Sequence, residues 1–275
     1  PTYFSLPYNI AMFKFISFGS GSCGNCYYIY TEHDGLLIDV GVGTRSLKKH
    51  FGDYGLHMPG GFSSILVTHD HADHIKSVGN LSKKLNLPVY ATRLVHSGMD
   101  NNYCMKLKLA QANRHYVVKG EAFEASGFHI TPFGVPHDSS DNVGYSIEYE
   151  GVVFTLLTDV GHITEEMKAI IRNTDYLVIE ANYDLQMLQN GPYPRHLQER
   201  IQCGTGHLSN AQCGAALVEN YTERLKHIWL CHLSEENNHP ELARKSIEQA
   251  LSNAGIKVKL DVLRRKQPTG VFELV

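Results

Sequence analysis

The sequence predicts an α/β protein in which two β-sheets lie face to face and helices cover their outer sides. Two observations favour this fold class. The chain has 275 residues, of which 43% are hydrophobic and 19% are charged, as expected for a folded protein with a substantial core. Its hydrophobic patterns form two β-rich runs, each followed by helical patterns. Because each sheet must bury a face, two such halves pack most simply sheet against sheet with the helices outside.

The first β-rich run begins as an antiparallel meander. The predicted strands of this half cover residues 13–18, 27–30, 36–40, 64–68 and 88–91. The second and third strands are joined by Asp34-Gly35, a pair typical of a hairpin turn. The strand over 64–68 runs directly into a histidine cluster, and a helical pattern then continues through Lys84. The cluster is therefore predicted to lie on a strand-to-helix loop, where scaffolds commonly place reactive side chains.

The second β-rich run, like the first, is followed by helical patterns. Its predicted strands cover residues 121–125, 128–135, 143–149, 152–157, 176–180, 227–231 and 256–263. Its predicted helices cover residues 164–172, 209–221 and 240–252. There is no solenoid-length repeat and no Pro- or Ser-rich linker. We therefore predict a single domain over residues 12–275, preceded by an extension over residues 1–11.

The charge balance and hydropathy exclude some classes of protein. The 25 Lys and Arg residues are outnumbered by 28 Asp and Glu residues, which is not the balance of a general nucleic-acid-binding protein. Any attraction for phosphate must therefore be local. No apolar run approaches the roughly 18 residues that a bilayer span needs, so we expect no membrane association. The sequence leaves the oligomeric state open.

Cysteine usage favours a reducing compartment. The six cysteines are scattered without the rhythm of a disulfide framework, and the first residues do not resemble a secretory signal, so we predict a cytoplasmic protein. Cys23 and Cys26 form a C-x-x-C pair, but no second pair accompanies it at zinc-finger spacing. We interpret this segment as a glycine-rich turn, and a redox role remains an open alternative.

The histidine cluster places four possible metal ligands within six residues: His69, His71, Asp73 and His74. Imidazole and carboxylate together suit zinc, manganese or iron, and the lack of a matching cysteine set argues against a structural zinc site. The alternative is a polar loop with coincidental histidines. Two histidines two positions apart, followed by Asp-His, are hard to explain in that way.

Three further ligand-type residues follow predicted strands: His137, Asp159 and His232. Each alone would more often be an ordinary core or surface residue, but three of them beside a strand-end cluster reinforce one another. The resulting seven side chains exceed what one tetrahedral metal needs. They suit two divalent ions bridged by a carboxylate. The sequence therefore predicts a dinuclear centre of zinc or manganese, with iron as a further option.

The T-H-x-H-x-D-H motif, the later His, Asp and His, and the segment 36–41 resemble the metallo-β-lactamase superfamily over residues 13–263. The resemblance implies an αββα four-layer sandwich of two mixed β-sheets. Carried over residue by residue, it implies three ligands for each metal, one shared bridge and one supporting residue. These are His69, His71 and His137 on one metal, Asp73, His74 and His232 on the other, Asp159 as the bridge, and Asp39 as the supporting residue.

Within the superfamily, the full Asp73-His74 pair together with Asp159 argues against antibiotic hydrolysis. The segment around His207 is similar to the H-x-[ST] element of tRNase Z enzymes, and Glu180 falls where the Glu that orients that histidine is expected. This resemblance implies that His207 protonates the departing oxygen, that Glu180 fixes its tautomer, and that Asp73 takes a proton from the attacking water. The alternatives are a histidine that merely neighbours a helix cap and a buried, hydrogen-bonded carboxylate.

A finer resemblance is to the bacterial YycJ/WalJ branch, whose members are described as exonucleases that act on DNA from the 5′ end. The segments that carry it are Phe18-Gly19-Ser20-Gly21-Ser22, Val135-Pro136-His137-Asp138, Glu180-Ala181-Asn182-Tyr183-Asp184, Gly191-Pro192-Tyr193-Pro194, Gly206-His207-Leu208-Ser209-Asn210 and His232-Leu233-Ser234-Glu235-Glu236-Asn237-Asn238. Cys23 departs from the small Ser expected in that branch. The resemblance implies a 5′-to-3′ exonuclease on DNA, with RNA as a further option. Two enzymatic alternatives stay open, a small or cyclic phosphodiesterase and a thioester or lactone hydrolase of the glyoxalase II type, besides a non-catalytic regulatory protein.

Contacts to the substrate are the least specified part of the prediction. Tyr193, Arg195 and Arg200, together with the cluster 264–266, are candidates for stacking on bases or pairing with phosphates. The chain between Asp159 and His232 is too short for the extra domain that related β-CASP nucleases insert there. Packing is the alternative role for Tyr193.

Overall fold

The computed structural model describes residues 13–58 and 60–275. The extension predicted for residues 1–11, and Met12 at the predicted start of the domain, lie outside these residues. From the amino end, the strands are β1 (Phe13–Gly19), β2 (Cys26–Tyr30), β3 (Gly35–Ile38), β4 (Ser64–Leu66), β5 (Val89–Ala91), β6 (Arg114–Tyr116), β7 (Phe123–Ala125), β8 (Phe128–Gly134), β9 (Val143–Tyr149), β10 (Val152–Leu157), β11 (Tyr176–Glu180), β12 (His227–Cys231), β13 (Lys259–Val262) and β14 (Phe272–Leu274). The helices are α1 (Thr44–Asp53), α2 (Ala72–Ile75), α3 (Val78–Leu85), α4 (Arg93–Asn101), α5 (Glu165–Arg172), α6 (Leu185–Asn190), α7 (Arg195–Gln202), α8 (Asn210–Asn220) and α9 (Pro240–Asn253).

The strands form two seven-stranded mixed sheets. The first has the order β14-β1-β2-β3-β4-β5-β6, and the second has the order β13-β12-β11-β10-β9-β8-β7. In each sheet an antiparallel part is followed by parallel strands, β3 to β6 in the first and β10 to β13 in the second. The carboxyl ends of parallel strands meet at one edge of a sheet, which is where open α/β sheets bind ligands.

Three apolar clusters define four layers. The central cluster lies between the two sheets and includes Phe15 and Trp229, whose ring centroids are 5.0 Å apart. A second cluster joins the first sheet to α1, α3 and α4, and a third joins the second sheet to α5, α8 and α9. In β12, Trp229 and Cys231 belong to the central cluster and Ile228 and Leu230 to the outer one, as alternation along a strand requires. The predicted αββα sandwich is confirmed.

Capping residues account for several helix starts. The side chains of Thr92, Thr164 and Asp184 each accept a hydrogen bond from the backbone three residues further on. Ser209 starts α8 with a capping box in which Gln212 is the reciprocal partner.

The structure corrects several predicted elements. The helical pattern through Lys84 is two helices, α2 and α3, because the chain turns at Lys76 and Ser77. The strands predicted over 121–125 and 256–263 shorten to β7 and β13. Several elements have no counterpart in the prediction: α1, α4, α6, α7, β6 and β14. In α7 no residue is fully buried, so no apolar stripe marks it.

Among the described residues, no helix combines the length and apolar character that a transmembrane span needs.

Candidate metal centre

The predicted ligands converge at the carboxyl ends of strands from both sheets. The loop after β4 supplies His69, His71, Asp73 and His74, and the loop after β8 supplies His137. Asp159 lies two residues after the end of β10, and His232 directly follows β12. Residues separated by up to 163 positions in the chain thus face one another.

Backbone conformation is unusual at three of these strand ends. Asp39, Asp159 and His232 have φ values of 59°, 55° and 53°, in a region that non-glycine residues seldom adopt. All three side chains are buried. Such conformations cost energy and persist where the surrounding structure enforces them, commonly at functional sites. Asp159 and His232 lie among the candidate ligands, and Asp39, which follows β3, lies behind His74.

The ligand-type atoms form two groups. In the first, made by His69, His71 and His137, the distance from His71 Nδ1 to His137 Nε2 is 3.3 Å. In the second, Asp73 Oδ2 lies 3.5 Å from His74 Nε2 and 3.4 Å from His232 Nε2.

Asp159 lies between the two groups. One carboxylate oxygen, Oδ2, is 3.2 Å from His74 Nε2 in the second group. The other, Oδ1, is 3.7 Å from His137 Nε2 and 4.0 Å from His69 Nε2 in the first. This is the position that a bridging carboxylate requires.

These spacings fit two bound metal ions. Ligands at about 2.0–2.1 Å from a tetrahedral metal are about 3.4 Å apart, close to the separations within each group. In addition, His69 Nε2 is fully buried and has no hydrogen-bond partner among the described residues. A buried nitrogen without a partner is costly, and a metal ion would satisfy it.

The electrostatics of the carboxylates also suit cations. Burial raises the pKa of Asp159, but the neighbouring His232, His74 and His69 together hold that pKa well below its ordinary value. Burial likewise raises the pKa of Asp73, and His74 and His232 outweigh this effect and lower it. Burial lowers the pKa of His69 well below its ordinary value. Anionic carboxylates and the neutral His69 are in the protonation states that bind metals. The carboxylates outweigh burial and raise the pKa of His74 and His232, and a bound metal ion would take the place of that proton.

Acceptors behind the histidines orient their rings. His74 Nδ1 donates to Asp39 Oδ2 at 2.7 Å, and Asp39 also accepts from the backbone N–H and hydroxyl of Thr68, each at 2.8 Å. His137 Nδ1 donates to the carbonyl of Gly206 at 3.0 Å. Each bond places the proton on Nδ1, so that Nε2 keeps its lone pair; that of His74 lies 2.9 Å from Asn25 Nδ2. Asp39 therefore lies behind a ligand and not among the ligand atoms.

Glu180 has a comparable place behind two histidines. Its Oε1 accepts from His207 Nδ1 and from His232 Nδ1, each at 2.9 Å. Its Oε2 accepts from the backbone N–H groups of Val160 at 2.9 Å and Leu208 at 3.1 Å. The four bonds compensate a fully buried charge. Both histidines must carry their proton on Nδ1 for this arrangement, which leaves each Nε2 available.

The same carboxylate sets the basicity of His207. Burial lowers the pKa of this imidazole, but the charge of Glu180 and the hydrogen bond to it outweigh burial and raise the pKa above its ordinary value. The ring lies 5.1 Å from that of His137 and 5.4 Å from that of His232. His207 therefore lies beside the candidate metal ligands with a raised pKa.

A cavity of about 240 Å³ opens over this centre, and Asp73, Asp159 and His207 are among its lining residues. Two predicted substrate contacts, Tyr193 and Arg200, also line it. The structure does not bring Arg195 to the cavity: its exposed side chain pairs with Glu199 at 3.0 Å on the surface of α7.

The basic cluster 264–266 lies beside a different cavity, of about 680 Å³. Its charges are partly neutralised, because Glu235 Oε1 lies 3.4 Å from Lys266 Nζ and 3.9 Å from Arg265 Nη2. This reduces its attraction for a phosphate.

Sequence reasoning missed several supporting residues. Asn25 Nδ2 donates to Asp73 Oδ2 at 3.1 Å, so the C-x-x-C segment is a turn that contacts the metal centre. Within it, the Cys23 thiol is exposed and the Cys26 thiol is buried. Asn182 Nδ2 donates to the carbonyl of His232 at 2.8 Å, and Asp138 accepts at 2.5 Å from Nε of Arg200, a residue that the sequence did predict. No short-range pattern identifies these residues, because their partners are far away in sequence.

Asp70, the unassigned position within the histidine motif, joins two ligand loops. Its carboxylate accepts from the backbone N–H of Ser140 at 3.0 Å and from the Ser140 hydroxyl at 2.8 Å. The loop that carries His69 and His71 is thereby tied to the loop that carries His137. The motif itself was the available signal, since Asp70 lies between two ligands.

Comparison with known proteins extends these observations. Residues 36–228 match the model of a family described as "Beta-lactamase superfamily domain". The chain is 34% identical over 239 residues to "Exodeoxyribonuclease YycJ" of Bacillus anthracis, covering 87% of this chain and 89% of that protein. It is 34% identical over 249 residues to "Exodeoxyribonuclease WalJ" of Streptococcus pneumoniae, covering 90% of this chain and 92% of that protein.

Solved structures share the fold at low sequence identity. The metallo-β-lactamase fold protein YhfI from Bacillus subtilis aligns with a TM-score of 0.71 at 18% identity, covering 96% of this chain and 99% of that one. Zinc-bound PqqB from Methylobacterium extorquens aligns with a TM-score of 0.70 at 18% identity, covering 94% of this chain and 99% of that one.

Proposed function

Because this chain belongs to the metallo-β-lactamase superfamily and is a metal-dependent hydrolase, we propose that it is an exonuclease that removes nucleotides from the 5′ end of DNA. Relatives named exodeoxyribonucleases, 34% identical over about nine-tenths of the chain, support DNA as the substrate. RNA is the related substrate to be compared with it.

The observation that carries this proposal is the pairing of His207 with buried Glu180 beside the metal ligands. Hydrolysis of a phosphodiester expels a sugar oxygen, which is a poor leaving group until it is protonated. His207 Nδ1 donates to Glu180, so Nε2 is the nitrogen that faces the reacting group. A thioester needs no such donor, because a thiolate leaves without a proton. The arrangement therefore favours phosphodiester hydrolysis over thioester hydrolysis.

We propose the following roles for the metal-binding residues. His69, His71 and His137 would hold one divalent ion, Asp73, His74 and His232 would hold the other, and Asp159 would be shared between them. Zinc and manganese, and iron as a further option, suit this donor set. Two such ions, when bound, activate water as a nucleophile and stabilise the charge that develops on the phosphoryl group.

The chain's own residues complete the reaction. Asp73, anionic at the cavity wall, accepts the proton of the attacking water. Arg200 uses its Nε to hold Asp138, which leaves its remaining N–H groups for a substrate phosphate. Tyr193, half-buried in the cavity wall, offers a ring for stacking on a terminal base.

Two further properties belong to this proposal. The described residues form one domain, because the metal ligands come from loops of both sheets and neither sheet alone completes the centre. All six cysteines are free, which supports a reducing compartment such as the cytoplasm.

One observation favours a second candidate function. The cavity volume of about 240 Å³ is small, and this suits a small or cyclic phosphodiester as well as a strand end. Such an enzyme would turn over dinucleotides or cyclic nucleotides without regard to chain length.

The test is a time course with 3′-labelled and 5′-labelled single- and double-stranded DNA in the presence of Mn²⁺ or Zn²⁺, with the His71→Ala protein as control. Stepwise shortening from the 5′ end by the wild type alone is the expected result. Intact DNA together with rapid turnover of cyclic nucleotides would assign the second function. Intact DNA together with thioester turnover that survives His207→Ala would overturn both phosphodiesterase assignments.

A further inference from the structure

A second groove, of about 380 Å³, lies apart from the metal centre and carries only positive charge. Arg45, Lys76 and Lys106 are its charged residues, and no Asp or Glu lines it. All three side chains are exposed, and none forms an ion pair within residues 13–58 and 60–275. In a chain with a net charge of −3, an uncompensated group of three cations is a local exception.

The three cations come from separate segments that the fold brings together. Arg45 lies in the first turn of α1, Lys76 lies at the junction of α2 and α3, and Lys106 lies in the loop after α4. The backbone holds this loop in place: a Cβ on Gly79 of α3 would lie 1.7 Å from the carbonyl oxygen of Leu107, so only glycine permits the contact. The groove is therefore built by tertiary packing and is not a run of like charges along the chain.

The groove lies next to the segment that carries the candidate metal ligands, although the two cavities have no lining residue in common. Lys76 is two residues after His74, so their Cα atoms are at most about 7.6 Å apart. The backbone of Val40 donates to the carbonyl of His74 at 2.8 Å and accepts from the N–H of Ser77 at 2.9 Å. The short helix α2 thus has Asp73 on the cavity side and Lys76 on the groove side.

Several other cations among the described residues are neutralised by acidic partners. Lys266 and Arg265 lie beside Glu235, and Arg244 pairs with Glu241 at 2.9 Å and with Glu248 at 2.7 Å. The polyanion that the proposed function places in the cavity carries one negative charge per nucleotide. A cavity of about 240 Å³ leaves most of such a strand outside.

We propose that Arg45, Lys76 and Lys106 bind backbone phosphates of the DNA strand whose 5′ end occupies the catalytic cavity. This inference rests on the proposed function, because it takes DNA as the substrate. The contacts are to phosphates and not to bases, so they add affinity without sequence preference. They also let an exonuclease bind nucleotides of the strand beyond the one that it removes.

The test measures binding separately from cleavage. Metal-loaded wild-type protein and the triple variant Arg45→Ala/Lys76→Ala/Lys106→Ala are titrated into a 20-nucleotide single strand with phosphorothioate linkages, a free 5′ end and a 3′ fluorophore. For single strands, log K falls with log salt by about 0.7 per phosphate contact, so at 0.1 M salt one lost contact weakens binding about fivefold. The triple variant is expected to bind about 100-fold more weakly, with a salt slope that is smaller by about 2.

The matched control is Lys48→Ala/Lys49→Ala/Lys84→Ala. These exposed lysines lie on α1 and α3, carry the same total charge and do not line the groove. Equal thermal unfolding and equal metal content of the two triple variants verify that both are folded. Equal losses in the two variants would show that only net charge matters and would overturn the proposal, as would an unchanged salt slope in the groove variant.

A further arm distinguishes a strand from a free phosphate ion. At constant ionic strength, 10 mM inorganic phosphate is expected to leave the difference between wild type and groove variant in place. If inorganic phosphate abolishes that difference, the groove is a site for free phosphate and the strand contact is wrong. The wild type could fail to degrade DNA in the time course while the groove variant still binds the strand more weakly than the wild type. In that case the proposed exonuclease function is wrong and the groove assignment stands.

Discussion

Glu180 is the residue on which two functional histidines depend. It is fully buried, and a buried carboxylate is tolerated because two imidazoles and two backbone N–H groups donate to it. His232, a proposed metal ligand, and His207, the proposed proton donor, use the same oxygen. We therefore expect a change at Glu180 to affect metal binding and proton transfer together, and a change at His207 to affect proton transfer alone.

We expect His207→Ala to reduce kcat on DNA by about 10²- to 10³-fold, because the departing sugar oxygen loses its proton donor. A p-nitrophenyl phosphodiester should lose far less, since nitrophenolate leaves without a proton. Rates on both substrates, measured at saturating metal, give the comparison. His162→Ala is the control, because this histidine donates to the carbonyl of Gly204 outside the cavity lining. Equal losses on both substrates would contradict the assigned role.

The pH profile should report the same residue. Burial lowers the pKa of His207, and Glu180 more than restores it, so the protonated donor persists to higher pH than an ordinary histidine would allow. Activity on DNA should therefore decline as pH rises through this raised pKa. Glu180→Gln removes the negative charge, so the decline should move to lower pH in profiles of kcat/KM at saturating metal. A decline that stays at the same pH in this variant would assign it to another group.

At the scale of elements, the metal centre depends on close contact between the loop after β3 and the start of α2. Asn25 donates from its backbone to the carbonyl of Asp73 at 2.8 Å, and Gly41 donates to the carbonyl of Asn25 at 2.8 Å. A Cβ on Gly41 would lie 1.6 Å from the carbonyl oxygen of Asp73. Glycine is thus required by a close approach of two backbones, one of which carries the proposed metal ligand Asp73.

Gly41→Ala is therefore expected to destabilise the protein by about 3 kcal/mol or more and to weaken metal binding, because the backbone of Asp73 must move. The comparison is Gly43→Ala, two residues further on. An added Cβ there meets nothing closer than 4.0 Å, and its φ of −66° suits any residue. Chemical unfolding and metal titration of both variants measure the effect; similar stabilities would show that the loop relaxes freely.

Helix α7 lies on the protein surface and has no fully buried residue, although it reaches the cavity. It contributes Arg200 to the cavity, while Arg195 and Glu199 pair on its outer surface. None of its residues is fully buried, so packing holds it less firmly than α5 or α8, which have buried residues in the outer apolar cluster. The position of Arg200 consequently depends on its ion pair with Asp138.

At the scale of the molecule, the metal centre joins the two sheets. Of the proposed ligands, those from His69 to His74 follow a strand of the first sheet, and Asp159 and His232 follow strands of the second. Bound ions would therefore stabilise the packing of one half against the other, and their binding free energy adds to the free energy of unfolding.

Removal of metal by a chelator should lower Tm by about 5 to 10 °C. This follows from a free metal concentration 100-fold above Kd, which stabilises by about 2.7 kcal/mol, and from about 2–4 °C per kcal/mol in proteins of this size. Differential scanning calorimetry with and without chelator is the measurement, and Zn²⁺ or Mn²⁺ should restore the wild-type Tm. In the His71→Ala protein, the chelator should lower Tm by a smaller amount. An unchanged Tm of the wild type on addition of chelator would argue against bound ions that stabilise the fold.

The predicted family and fold are confirmed, and they were accessible because the responsible signals are local. The histidine motif occupies adjacent positions, and alternation of buried residues marks strands such as β12. The elements missed by the prediction lack such signals. Strand β14 is three residues long and gains its identity by pairing with β1, more than 250 residues away. The roles assigned to individual site residues stay predictions, although the structure brings the proposed ligands together.

By itself, the sequence determined the family and the candidate ligand side chains, since residue type and spacing at strand ends are local properties that no later packing changes. Only the tertiary structure decided how they act on one another. It placed Glu180 behind both His207 and His232, left His69 Nε2 without a partner, kept Arg195 out of the cavity, and assembled Arg45, Lys76 and Lys106 into one groove. These relations join residues far apart in the chain, and distances of a few ångströms between such residues are set by the packing of whole sheets and helices.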